Sequence, residues 1–288
     1  MKRYFLLLFC AASLYANAQT RPVDIILNEF RKKPGHVMVA AHRAAHSKYP
    51  ENSLAAVKEA INQGIDIAEI DVRATKDSVL VIMHDATILR TTGQKGKVSD
   101  YTYAELQKFP LLFNGKPTAE KIPTFDEVLK LAKDKILIDI DFKADEDYAM
   151  GKTIDAIVAH KMEDQALFFL YDHKDAAKVR AINPKIPIMP RVHNVDETYE
   201  ALAMGDQGGK FPVLHVDDSF YNDTTMMRVL KKGTRVWINA LGKYDKMEEK
   251  QADSGFDQLR KDAQYANVIQ TDHPEKLLAY LRKKGLHK

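Results

Sequence analysis

The sequence predicts an α/β fold, a (β/α)8 barrel with a small insertion after the third strand, and three observations carry that reading. Nine short apolar runs alternate with amphipathic helical segments, the pattern of repeated β-α pairs around a parallel sheet. The 270 residues after the first eighteen are long for one domain but ordinary for such a barrel. An open doubly wound sheet usually announces a nucleotide through a Gly-rich first turn, and the sequence has no such turn.

The chain begins with Lys2 and Arg3, an apolar run Tyr4–Tyr15, and Ala16-Asn17-Ala18, which together have the form of a signal peptide over 1–18. The run is too short for a permanent membrane span. Cys10 lies inside it behind bulky Phe9, the wrong neighbour for lipidation, so cleavage after Ala18 would remove the only cysteine. The expected product is an exported domain over 19–288, periplasmic or secreted. Loss of Lys2 and Arg3 leaves 41 basic and 40 acidic residues, a formal net charge of +1. Lys and Arg are scattered rather than gathered in a stripe, which argues against a nucleic-acid partner. No second long apolar segment follows, so no stable membrane insertion is expected.

Strands are predicted over 37–42, 67–72, 79–83, 136–142, 166–170, 186–192, 213–216, 235–239 and 267–270. That is one more than a barrel holds, and 213–216 is the weakest. A helix over Leu54–Gln63 places Leu54, Val57 and Ile61 on one face, with Asn52 or Ser53 as cap and Gly64 as stop. A second, Phe125–Lys133, opens with the capping box Thr124-Phe-Asp-Glu127. The last, Pro274–Lys284, has proline in its first turn and turns Leu277, Leu278 and Leu281 inward. Only Arg73–Ser78 joins the second and third strands, too few residues for a crossover helix. An antiparallel hairpin is the simple reading, and it would put His84 at the opposite end from Asp71. A bare return is the other, since six extended residues reach about 20 Å.

Glu69 and Asp71 are two apart and so share a strand face. If that face is interior, two buried like charges resist joint ionisation unless a cation intervenes; at a strand end they are merely solvated acids. Asp139, Asp141 and Lys143 alternate likewise, with Ile138, Ile140 and Phe142 on the other face. His42 and His84 each end a strand, where a lone histidine is more often structural than catalytic. Arg43 in isolation reads equally as a surface ion-pair partner. Trp237, the only tryptophan, suits either an apolar wall or the core. His193 and His215 also end strands and, lacking a motif, read as structural.

Taken together, His42-Arg43, Pro50-Glu51-Asn52-Ser53, Glu69-x-Asp71 and His84-Asp85 resemble the glycerophosphodiester phosphodiesterase family, from about His36 to the C-terminus. Asp141-Phe-Lys143 matches that family's Glu-x-Lys with an acid one methylene shorter. Trp237-Ile-Asn239 and Ile269-Gln-Thr-Asp272-His-Pro274 resemble later motifs, the first shortened by one residue. Where the family reads His-Arg-Gly, the chain has His42-Arg43-Ala44, and alanine narrows the access to positive φ that glycine allows.

The resemblance implies a metal-dependent hydrolase that cleaves glycerophosphodiesters to glycerol 3-phosphate and an alcohol. His42 and His84 would be the proton-transfer pair. Glu69, Asp71 and Asp141 would hold one divalent cation, with Glu51 as a further candidate and Asp139 as support. Arg43 and Lys143 would bind phosphate, and Trp237 the glycerol moiety. An all-oxygen ligand set suits Ca²⁺ or Mg²⁺ better than Zn²⁺, and an exported protein meets more free Ca²⁺. The resemblance also favours the bare return after the second strand, because it brings the counterparts of Glu69, Asp71 and His84 to one site. Residues 86–123 occupy the place of a substrate-covering insertion, with Leu106, Phe109, Leu111, Leu112 and Phe113 as a lid lining or satellite core. The alternatives are the same machinery acting on an inositol phosphodiester or a lysophospholipid, and, more distantly, an exported binding protein.

Overall fold

The computed structural model describes residues 22–145 and 147–288, so the expected signal peptide over 1–18 lies outside the described residues. Eight parallel strands close into a barrel: β1 (Met38–Ala41), β2 (Ile67–Ala74), β6 (Leu137–Phe142), β7 (Ala166–Leu170), β8 (Ile188–Val192), β9 (Val213–Val216), β10 (Arg235–Asn239) and β11 (Val268–Thr271). Pairing of β1 with both β11 and β2 closes the ring. The 213–216 run, the weakest from sequence, is a full barrel strand with β8 on one side and β10 on the other. Its four residues, all buried, are too few for periodicity to mark.

The surplus strand is instead β3 (Leu80–Ile82), which pairs antiparallel with β2 through Val72–Ile82, Arg73–Val81 and Ala74–Leu80. The bare parallel return is therefore wrong, and so is the idea that a hairpin would carry His84 away from Asp71. Strand β2 runs eight residues, but only Ile67–Val72 pair with β6; its last two stand above the barrel mouth. The return strand descends from that overhang, and the Met83 amide reaches the Asp71 carbonyl at 2.9 Å. His84 is thus brought back to the mouth. The insertion belongs to the same excursion from the second barrel strand: α3 (Leu89–Thr92), α4 (Tyr103–Leu106) and the ribbon β4 (Leu112–Phe113) and β5 (Lys116–Pro117). Leu106, Phe109 and Leu111 pack with Val81, Met83 and Ile122 as a satellite core. Leu112 and Phe113 are half-buried beside Arg90.

Helices α2 (Leu54–Gln63), α5 (Phe125–Ala132), α6 (Asp147–Ala159), α7 (Ala176–Ile182), α8 (Val195–Met204), α9 (Asp223–Lys231), α10 (Lys243–Lys250), α11 (Ser254–Asp262) and α12 (Pro274–Lys283) lie between or after the strands. The cap of α2 is Ser53, whose Oγ accepts from the Ala56 amide, and Gly64 ends it at φ +74°. The Thr124–Glu127 capping box opens α5 as expected. The main core lies between strands and helices, where Ile70, Val72, Ile138 and Ile140 point outward from the barrel. The barrel interior is a second core whose apolar base, including Met38, Ile67, Leu137 and Val268, is plugged by Val23 and Leu27 of α1 (Pro22–Lys32). One step up β2, β6, β9 and β11 the interior becomes polar, at Glu69, Asp139, His215 and Gln270, while Ala40, Phe169 and Trp237 keep it apolar on β1, β7 and β10; this change from apolar base to acidic mouth positions the site. No helix among the described residues is long and apolar enough to cross a membrane.

Candidate active site

Registry places the acids in two rungs, Glu69 beside Asp139 and Asp71 beside Asp141. Because alternate residues of β2 and β6 face inward, all four carboxylates enter the barrel mouth. One ligand oxygen from each of Glu69, Asp71 and Asp141 lies within 4.8 Å of the other two. Asp71 Oδ1 is buried without a hydrogen-bond partner among the described residues, as is Asp139 Oδ1. Burial, and then the charges of Asp71, Asp141 and Asp139, push the Glu69 carboxyl well above the ordinary range. Burial and the charges of Asp141 and Asp71 do the same to Asp139. An acidic cluster so strained by its own charge, with an unsatisfied oxygen turned into it, fits a hard divalent cation.

The first turn holds this cluster through its backbone. The Arg43 amide donates to Glu69 Oε2 at 2.7 Å, and the Ala44 amide to the Glu69 carbonyl at 3.0 Å. Both residues are left-handed, with φ of +50° and +64°. Ala44 therefore adopts the conformation that sequence reasoning expected it to hinder. A left-handed alanine costs roughly 1–2 kcal/mol; its methyl is fully buried, which returns about 0.8 kcal/mol. The glycine of the family pattern and this alanine are thus close in energy here.

The next motif divides its work among consecutive residues. Glu51 accepts from Arg43 Nη1 at 3.0 Å and from Arg90 at 2.6 and 2.7 Å, which places it outside the acidic cluster. Burial pushes its carboxyl up, but the Arg90 hydrogen bonds and the Arg43 charge outweigh it and hold Glu51 below its ordinary value. Asn52, whose φ is +57°, is not the helix cap; its Nδ2 donates to Asp71 Oδ2 at 2.7 Å.

Both histidines are oriented by a carboxylate. His42 Nδ1 lies 2.7 Å from Asp272 Oδ1, and His84 Nδ1 lies 2.7 Å from Asp85 Oδ1. Asp272 is fixed in turn by its own amide donating to Asp245 Oδ2, and Asp85 by Arg90 Nε at 2.7 Å. With Nδ1 engaged, each ring keeps Nε2 for exchange. Lys143 Nζ sits 2.7 Å from Asp141 Oδ2, 3.4 Å from Asp71 Oδ1 and 2.8 Å from Tyr171 Oη. Although burial lowers it, the Asp141 and Asp71 charges prevail and hold its ammonium above the ordinary range.

His42, His84, Glu69, Asp141 and Lys143 line one cavity of about 210 Å³ at the mouth. A larger groove of about 800 Å³ runs between α2 and α5 on the barrel flank, but no histidine lines it. Trp237 is fully buried and closes the cavity floor, its Nε1 donating to Asn239 Oδ1 at 3.1 Å. His215, which looked merely structural, also borders the floor; it stacks edge-on against Phe169, and burial holds it down to about 4. Arg73 and Tyr171 were missed. Arg73 clamps the His84 carbonyl at 2.8–2.9 Å and the Lys143 carbonyl at 2.9 Å. Its signal was available, since Glu69, Asp71 and Arg73 continue one alternation.

Residues 42–248 match the model of the glycerophosphoryl diester phosphodiesterase family. The chain belongs to that family. A glycerophosphodiester phosphodiesterase of Caldanaerobacter subterraneus subsp. tengcongensis is 35% identical over 175 residues, covering 58% of this chain and 72% of that protein. A glycerophosphoryl diester phosphodiesterase structure from Parabacteroides distasonis superposes with a TM-score of 0.78 at 23% identity, over 91% of this chain and 92% of that one. An Oleispira antarctica phosphodiesterase, solved with the product sn-glycerol-3-phosphate, superposes at 0.69 with 23% identity over 86% and 97%. These two likenesses establish the barrel; family membership makes the chain a phosphodiesterase and sets aside the binding-protein reading.

Proposed function

We propose that the chain hydrolyses glycerophosphodiesters to glycerol 3-phosphate and an alcohol, with His42 and His84 exchanging protons across the cavity. The observation that carries this reading is the meeting of two carboxylate-oriented imidazoles with Glu69, Asp141 and Lys143 around one cavity. Glu69, Asp71 and Asp141 would hold a divalent cation, Ca²⁺ in preference to Mg²⁺, which would supply Lewis-acid charge to the phosphate. Arg43, steadied by Glu51, and Lys143, steadied by Asp141 and Tyr171, hold those oxygens by a fork and a point charge. One histidine takes the proton of the attacking hydroxyl or water as its oxygen bonds phosphorus. The other gives a proton to the alkoxide as the second P–O bond breaks. Trp237 and His215 form a water-poor floor suited to a glycerol backbone.

A turnover screen with and without EDTA, over glycerophosphocholine, glycerophosphoethanolamine, glycerophosphoinositol and lysophospholipids, tests the substrate class. Metal-dependent release of glycerol 3-phosphate is expected. Release only of inositol phosphate or of a lysophospholipid headgroup would replace the reading.

We further propose that the chain is exported and begins at Gln19 after cleavage. Intact-mass analysis of exported protein should give the chain without Met1–Ala18; retention of those residues, or a lipid on Cys10, would defeat this.

A further inference from the structure

The base of the barrel carries a second convergence of ligand-type side chains, at the end opposite the cavity. His36 precedes β1, Asp66 precedes β2, and His287 is the penultimate residue. One ligand atom from each lies within 4.8 Å of the other two. Their side chains are 5%, 3% and 5% exposed, and that of Glu29 on α1 is 7% exposed. His36 Nε2 has no hydrogen-bond partner among the described residues, and Glu29 Oε2 stands 3.4 Å away, beyond good bonding geometry.

His287 makes the sharper case. Its Nδ1 lies 2.8 Å from the backbone oxygen of Lys288, and its Nε2 lies 3.0 Å from Asp66 Oδ2. Both neighbours are acceptors, whereas a neutral imidazole has one N–H. With Nδ1–H given to the Lys288 oxygen, the kind of outer bond a metal-bound histidine usually makes, the lone pair of Nε2 faces a carboxylate. That position needs a cation or a second proton. Arg235 lies close by, donating to the carbonyls of Glu29, Phe30, Lys33, His36 and Asn267, with the charges of Asp66 and Glu29 acting in favour of its guanidinium.

We propose that His36, Asp66 and His287 form a structural site for a borderline divalent cation, Zn²⁺ above all, with Glu29 as the fourth donor. Two imidazoles with carboxylates suit Zn²⁺, in contrast to the all-oxygen set at the mouth. The ion would tie the last residues of the chain and the helix that plugs the barrel to the first two strands. Its place on the N-terminal face of the barrel accords with a role in stability rather than chemistry.

The test uses the metal-free protein carrying Glu69→Gln and Asp71→Asn, so that the mouth no longer competes. One Zn²⁺ per chain should bind, and zinc at a hundredfold excess over its dissociation constant should raise Tm by about 5–10 °C. Adding His287→Gln or His36→Gln should weaken binding at least tenfold and remove the shift. No zinc binding in the double variant, or an undiminished shift in His287→Gln, would overturn the proposal and leave a protonated hydrogen-bonded knot. Should the added variants fail to fold, Co²⁺ titration of the double variant decides: visible absorption from a nitrogen-ligated ion supports the site, and its absence refutes it.

Discussion

His42→Ala and His84→Ala should each lower turnover on a glycerophosphodiester by about 10²–10⁴-fold, or roughly 2.7–5.5 kcal/mol of barrel-mouth catalysis. The expectation rests on both rings having Nδ1 committed to a carboxylate, Asp272 for one and Asp85 for the other, so that each presents Nε2. Substrate affinity should survive, because Arg43 and Lys143 are held by other partners, Glu51, Asp141 and Tyr171. A nitrophenyl phosphodiester separates the two roles. Its leaving group needs no proton, so the variant lacking the general acid should recover most of its rate on it. The variant lacking the base should stay slow on both substrates. Steady-state kinetics on the two substrates measures this, and full turnover by both variants on the natural diester would reduce the histidines to structural residues.

The same particulars explain how much of the protein was legible in its sequence. Alternation of acid and aliphatic residues in 67–72 and 136–142 put the carboxylates on one strand face and Ile70, Ile138 and Ile140 on the other, because strand geometry leaves no other arrangement; closure of the barrel makes the acidic face the interior one. What local pattern could not reveal was an overhang. Whether β2 ends at Val72 or runs on to Ala74 depends on the hairpin partner it finds, and that decides where His84 falls. The roles of Glu51 and Asn52 were hidden for a related reason. Glu51 meets Arg90, thirty-nine residues away in the insertion, and Asn52 meets Asp71 across the mouth. His215 was undervalued because a lone histidine on a four-residue strand carries no periodic signal. Only closure of the ring brings it beside Phe169 and Trp237.

Removing the divalent cation should abolish turnover and also invert the pH dependence of stability at the mouth. Without a cation, Glu69 and Asp139 are carboxyls whose folded-state affinity for protons is raised, first by burial and then by neighbouring acids. For an acid raised on folding, the stabilising contribution is complete below its unfolded value, near 4.5 for Glu69 and 3.8 for Asp139. It is then lost as pH climbs through the raised folded value, because the unfolded chain ionises freely while the folded one resists. In EDTA the Tm should therefore fall between pH 5 and pH 8. Ca²⁺ or Mg²⁺ should reverse the fall at pH 8 and do less at pH 5, where protons on the raised carboxyls of Glu69 and Asp139 compete with the cation. Glu69→Gln isolates the effect. Lacking the charge, it should be at least as stable as the wild type at pH 8 in EDTA, gain little from the cation, and turn over negligibly in either. Thermal melts of both proteins at the two pH values, with and without the cation, give every comparison needed. If the wild type melted identically under all four conditions, or kept full activity in excess EDTA, the acids at the mouth would not be a cation site.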